Sequence, residues 1–279
     1  MSEFFNALVQ HHFMQHALAA CILASLGCGT VGVYVVVKRI GFLAGGIAHT
    51  VLAGMGIAYF LGKSPIAGAV IVALLSAVLI GWIKLRWAQE EDVLIAAFWS
   101  VGMAIGVLFI SRTPGYAVDL TSYLFGNILL VSGEDLVMMA AVDAIVMVSV
   151  LLLYRQFLAT VFDEEHARLR GVRVDVLYIY LLCIVALTVV LLIQIVGLIL
   201  VMALLVLPAA TAASFAGSVS RMMWLAVAVS MVATVAGLGL SYAPDLPSGA
   251  TMVVVAGLIY LVSIVFRIYG GRRPRPQAP

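Results

Sequence analysis

The sequence predicts an all-α polytopic membrane protein with about nine transmembrane helices, eight at the least, and three observations carry that reading. Of 279 residues, 65% are hydrophobic and only 10% charged, and the mean hydropathy is +1.19. A chain this apolar cannot cover itself with polar surface in water, so a soluble globule is excluded. Apolar runs of membrane length follow one another from about residue 17 to residue 266. Lys and Arg gather at alternate ends of those runs, as cytoplasmic loops require.

The first run, 17–37, follows a segment from Met1 to His16 that has no Lys or Arg, and it ends at Lys38 and Arg39. A cleavable signal has its basic residues at the start, so this run is read as a retained helix. Runs at 42–61, 65–83 and 93–111 come next. The segment 119–135 has polar ends and an apolar centre too short to cross, which suits an outer re-entrant or interfacial segment. After the run 136–154, residues 162–171 read as a short capped helix. Asp163 and Glu164 stand at its start, Arg168 and Arg170 near its end, and Gly171 is the stop, all in accord with the helix dipole.

The runs 174–193 and 196–216 are divided only by Gln194, Ile195, Val196 and Gly197, so they count as two spans, or one in an eight-span map. Pro208 in the second removes a backbone donor and is expected to kink or break it. Runs at 222–241 and 250–266 complete the bundle of residues 17–267. A basic tail, 268–279, follows as an anchor that touches anionic lipid. Residues 1–279 thus read as a single transmembrane domain.

On this map Lys38, Arg39, Lys84, Arg86, Arg155, Arg168, Arg170, Arg173, Arg221, Arg267, Arg272, Arg273 and Arg275 share one side. Only Lys63 and Arg112 lie on the other, which places the N-terminus outside and the C-terminus in the cytoplasm. A net charge of +2 offers nothing to recruit nucleic acid. Cys21, Cys28 and Cys183 form no CxxC pair and read as buried packing residues.

Inside the spans a charged or ionisable side chain is costly, so each is a functional candidate. His49 stands near the middle of the second span. Gly45 lies one turn before it, with Gly46 and Gly54 on the adjacent row, a spacing of small residues that lets another helix approach. A neutral imidazole there either bonds a neighbouring helix or meets a divalent metal in passing. Asp143 lies mid-span in the fifth run, as a ligand, a proton carrier or a structural carboxylate. Asp119, Glu134 and Asp135 on the outer side are candidates to guide a cation. No phosphate loop, HExxH or GxSxG occurs, so catalysis by this chain alone is not expected and powered transport needs another chain as its engine.

Three blocks carry a family resemblance. They are the run from Lys38 and Arg39 through Gly45 and Gly46 to His49 and Gly54; Asp119 to Leu129 with Glu134, Asp135 and Leu136; and Gly197 to Ala212, including Pro208, with 245–251. In this order, from about Lys38 to Arg267, the chain resembles the permease subunits of bacterial zinc, manganese and iron ABC uptake transporters, a type II ABC importer-like fold.

The resemblance implies a multi-pass protein of the bacterial cytoplasmic (inner) membrane that moves a divalent metal inward by alternating access. It implies a homodimeric or heterodimeric pair of permeases, read first as a homodimer, two cytoplasmic ATPase subunits and an extracytoplasmic metal-binding protein, with no permanently bound cofactor. The segment from Asp163, Glu164, Glu165 and His166 through Arg168 and Arg170 to Gly171 is then the coupling helix, and His49 maps to the family's pathway histidine. Many members carry Asp one turn before that histidine, where this chain has Gly45. Loss of a hard carboxylate beside an imidazole tilts the expected cargo to zinc, with manganese and iron behind it. Two other readings stand beside this one. A proton-coupled secondary cation transporter would use His49 and Asp143 as its relay. An intramembrane metalloenzyme would need ligands that the sequence does not supply near His49.

Overall fold

The computed structural model describes residues 8, 10–87, 91–113, 126, 128–198, 201–242, 244 and 246–269. Among them are ten α-helices, one 3-10 turn and no strand. The helices are α1 (His12–Val37), α2 (Gly41–Phe60), α3 (Pro65–Trp87), α4 (Glu91–Arg112), α5 (Gly133–Phe162), α6 (Glu164–Leu169), α7 (Val174–Val196), α8 (Val201–Phe215), α9 (Val219–Tyr242) and α10 (Ser248–Tyr269). Eight are long and apolar enough to cross a bilayer, and the ninth apolar helix, α8, has 15 residues. At 1.5 Å per residue α8 spans about 22 Å, less than the ~30 Å hydrocarbon core.

Burial separates a central trio from the rest. In their most apolar stretches α1, α2 and α7 are 72%, 83% and 67% buried, against 17% for α4 and 22% for α10. α1 packs on α5, α7, α8 and α9, while α2 is held among α3, α4, α7 and α8. Large apolar side chains on the outer helices face away from the bundle, among them Leu108, Leu152 and Val254. In a membrane those faces meet acyl chains, which are no less apolar than leucine.

Small residues bring α2 close to its neighbours. A side chain begun at Gly54 would strike the backbone carbonyl of Gly68 on α3, and one begun at Gly68 would strike that of Gly54. At Gly56 it would lie 2.6 Å from the carbonyl oxygen of Gly106 on α4. Backbone therefore meets backbone on two sides of α2, a closeness only glycine allows.

Several boundaries differ from the sequence expectation. α5 starts at Gly133, three residues before the expected run, because Ser132 and Asp135 form a reciprocal cap. It continues to Phe162 and, at 30 residues, reaches about 45 Å. Of the expected outer segment 119–135, residues 119–125 and 127 lie outside the described residues. Its 3-10 turn Ile128–Leu130 buries Ile128 against α1 and α7. The expected break at Pro208 is absent, and α8 runs unbroken through that proline. The chain breaks at Gly197, within the expected division at 194–197, and its φ of +77° favours glycine. Between packed helices neighbouring groups absorb the bond that proline cannot make, so it need not end a membrane helix. α10 runs to Tyr269, and the remainder of the basic tail, 270–279, lies outside the described residues.

Candidate functional site

Two contacts fix the ends of the bundle. The His16 ring lies 3.8 Å from where a side chain on Gly133 would begin, which brings the starts of α1 and α5 to one end. At the other, Lys38 just past α1 forms an ion pair with Glu164 of α6. Glu134 and Asp135 therefore sit at the opposite end from α6, as the charge map requires. Asp135 is already engaged: its carboxylate accepts from the Ser132 backbone N–H at 3.0 Å and from the Ser132 hydroxyl at 2.6 Å. The acid thus caps α5, and Asp119 lies outside the described residues.

His49 occupies the middle of α2 and is 8% exposed. Its ring stacks on Trp99 of α4, with centroids 3.9 Å apart and planes 14° apart. Its Nδ1 is buried and has no hydrogen-bond partner among the described residues. The next residue binds the two helices: the Thr50 hydroxyl lies 2.7 Å from the Gly46 carbonyl oxygen and 3.0 Å from that of Phe98. Gly46 faces Ile95 of α4, and Gly45 faces Met202 of α8. The glycines around His49 thus serve three different helix contacts, with Gly54 turned to α3. The imidazole is held by its face and keeps a nitrogen lone pair or proton unspent.

Asp143 is elsewhere. It lies on α5, 3% exposed, with Oδ1 buried and unpartnered among the described residues. That oxygen is 3.0 Å from the place of a side chain on Gly27 of α1, and Thr188 of α7 is 3.4 Å from the same place. α2 and α5 share no extended interface, so His49 and Asp143 do not form one site. This removes the geometric basis for a relay between them. Among the described residues no three His, Cys, Asp or Glu side chains come together as a metal site. Closed structural sites use about four ligands, and the described residues around His49 supply no such set. Cys21 and Cys28 are free and buried, and Cys183 is free and half-buried.

At the other end α6 is a six-residue helix. Asp163 caps it, accepting from the His166 N–H at 2.8 Å. Glu164 and Glu165 fill the first turn, and Arg170 closes it before Gly171 at φ +79°. Arg168 pairs with Asp175 at the start of α7. Both ion pairs are exposed on at least one side, so they orient α6 more than they stabilise it. Leu169 projects from it, 86% exposed.

Trp99, which stacks on His49, and Met202, which packs on Gly45 one turn away, carry no sequence signal of their own. Each sits in an apolar run, and only the packing of α4 and α8 on α2 brings it there.

A family model described as the ABC 3 transport family matches residues 10–267. The membrane protein slr2045 of Synechocystis is 43% identical over 267 residues, covering 96% of this chain and 95% of its own length. The manganese transport system membrane protein MntC of Halalkalibacterium halodurans is 33% identical, covering 95% of this chain and 91% of its own. Among solved structures, PsaBC from Streptococcus pneumoniae in complex with a Fab superposes with a TM-score of 0.86. It is 32% identical and covers 94% of this chain and 95% of that one.

Proposed function

The chain belongs to the ABC 3 transport family, and from that premise we propose that it is the membrane permease of an importer that moves a divalent transition metal, zinc in the first place, into the cytoplasm. The observation that carries the reading is His49, a buried imidazole with an unpartnered nitrogen in the middle of a membrane-spanning helix. A polar group so placed is expensive unless it serves a passing ligand. One neutral donor per permease, completed by water or a second group, binds weakly enough to release the ion.

The end that carries Lys38 and α6 faces the cytoplasm, following the excess of Lys and Arg there, so the N-terminus is outside. The membrane is the bacterial inner membrane. α6, with its charged rim and exposed Leu169, docks in a groove of a separate ATPase subunit. Two copies of this chain pair across the membrane, and an extracytoplasmic binding protein delivers the metal to the end with Glu134. The relative MntC is named for manganese. In this chain Gly45 leaves no carboxylate one turn from His49, and imidazole without a hard oxygen suits zinc better than manganese.

The test is metal uptake by proteoliposomes holding the permease with its ATPase and binding protein, with zinc, manganese and iron in competition and an inactive ATPase as control. ATP-dependent uptake led by zinc is expected. Uptake indifferent to the ATPase would overturn the importer reading, and preference for manganese would overturn the choice of cargo alone.

A further inference from the structure

We propose that the Met202 thioether is a second donor to the ion passing His49 and sets the preference for zinc over manganese, an inference that rests on the reading of His49 as a pathway residue. The break at Gly197 lets α8 begin at Val201, so Met202 lies in its first turn and is half-buried. Its side chain ends on α2. A Cβ placed on Gly45 would lie 3.3 Å from Met202 Sδ, 3.4 Å from Cε and 3.5 Å from Cγ. The sulfur thus fills the space that a longer residue at position 45 would take.

Positions 45 and 49 are one helical turn apart on one face, with Cβ positions about 5–6 Å from each other. The Met202 sulfur therefore stands against α2 one helical turn from His49, whose Nδ1 has no partner among the described residues. Methionine has three rotatable bonds, so its sulfur can follow an ion through a short stretch of path without repacking the helices. Both donors are uncharged, which keeps binding weak in a medium of low dielectric. Sulfur beside imidazole suits zinc and softer ions, whereas manganese is served better by carboxylate, carbonyl and water. A methionine that only fills a gap would affect every metal alike.

The experiment uses the assembled transporter in proteoliposomes, with zinc and manganese supplied together and binding of radioactive zinc to the detergent-purified complex measured alongside. Met202→Leu keeps nearly the same volume and removes the donor, and Met202→Cys restores a sulfur. The expected result is a fall of about tenfold or more in the zinc-to-manganese ratio in Met202→Leu, the range that loss of even an outer partner costs a metal site. Zinc binding falls in parallel, and Met202→Cys recovers part of both. An equal fall for both metals, or no change, in Met202→Leu while His49→Ala abolishes uptake would overturn the role of Met202 and leave the permease reading intact. No change in either variant would overturn both.

Discussion

The imidazole of His49 lies almost parallel to the indole of Trp99, 3.9 Å from centroid to centroid, so α4 holds the ring of the α2 histidine by its face and leaves the edge nitrogens to other partners. Aromatic pairs of this kind contribute about 0.5–1.5 kcal/mol beyond burial, and an indole face also favours a ring that gains positive character near an ion. Trp99→Ala is expected to slow ATP-dependent uptake by roughly two- to tenfold at equal membrane abundance. Trp99→Phe is expected to keep most of the rate. Initial uptake rates of the three forms decide it.

The backbone contact between Gly54 and Gly68 leaves no room for a side chain on either helix. Gly54→Val is expected to cost about 1–3 kcal/mol or to prevent assembly, because neither backbone can yield without moving α2 or α3. Gly257 on α10 has nothing within 4 Å of its missing side chain, so Gly257→Val is the matched control. Thermal unfolding followed by size-exclusion chromatography in detergent is expected to lower the midpoint in the first variant only.

Gly27 and Asp143 are coupled through the 3.0 Å approach of Oδ1 to the empty Cβ position. Gly27→Ala is expected to destabilise the protein, and Asp143→Ala is expected to relieve most of that cost when the two are combined. Contacting residues show interaction energies of about 0.5–3 kcal/mol. A double-mutant cycle on unfolding midpoints measures the coupling, and simple additivity would show that the carboxylate does not press on α1.

The ion pair between Lys38 and Glu164 ties the end of α1 to α6. Lys38→Glu or Glu164→Lys alone is expected to weaken the coupling of ATP hydrolysis to uptake. The double charge reversal is expected to restore part of it. The pair is partly exposed, so each single change is worth at most about 1 kcal/mol and fades in high salt. The ratio of metal moved to ATP hydrolysed, at two ionic strengths, tests both points.

Much of this architecture is legible in the sequence because the bilayer imposes it. Runs such as 65–83 and 93–111 have few places to go except across a membrane. α6 is legible for a local reason, since Asp163 and Gly171 act within a few residues of themselves. His49 stands out because polar residues in such runs are rare. Trp99 and Met202 do not, because their roles arise from contacts about 50 and 150 residues away in the chain. The division expected at 194–197 falls at Gly197, where a positive φ is needed, whereas the kink or break expected at Pro208 does not end α8, because bundle packing absorbs the proline. An outer acid carries the same letter whether it meets a metal or caps a helix, and only the fold shows Asp135 engaged with Ser132 at the start of α5.

The central claim is that the metal passes His49. Its most direct test is the initial rate of ATP-dependent zinc uptake by His49→Ala, reconstituted with the ATPase and binding protein at matched permease abundance and unchanged assembly. Loss of at least about tenfold in rate, with ATP hydrolysis retained, is the result expected. An unchanged rate would contradict it, leave the histidine as a packing residue against Trp99, and move the ion path toward Asp143.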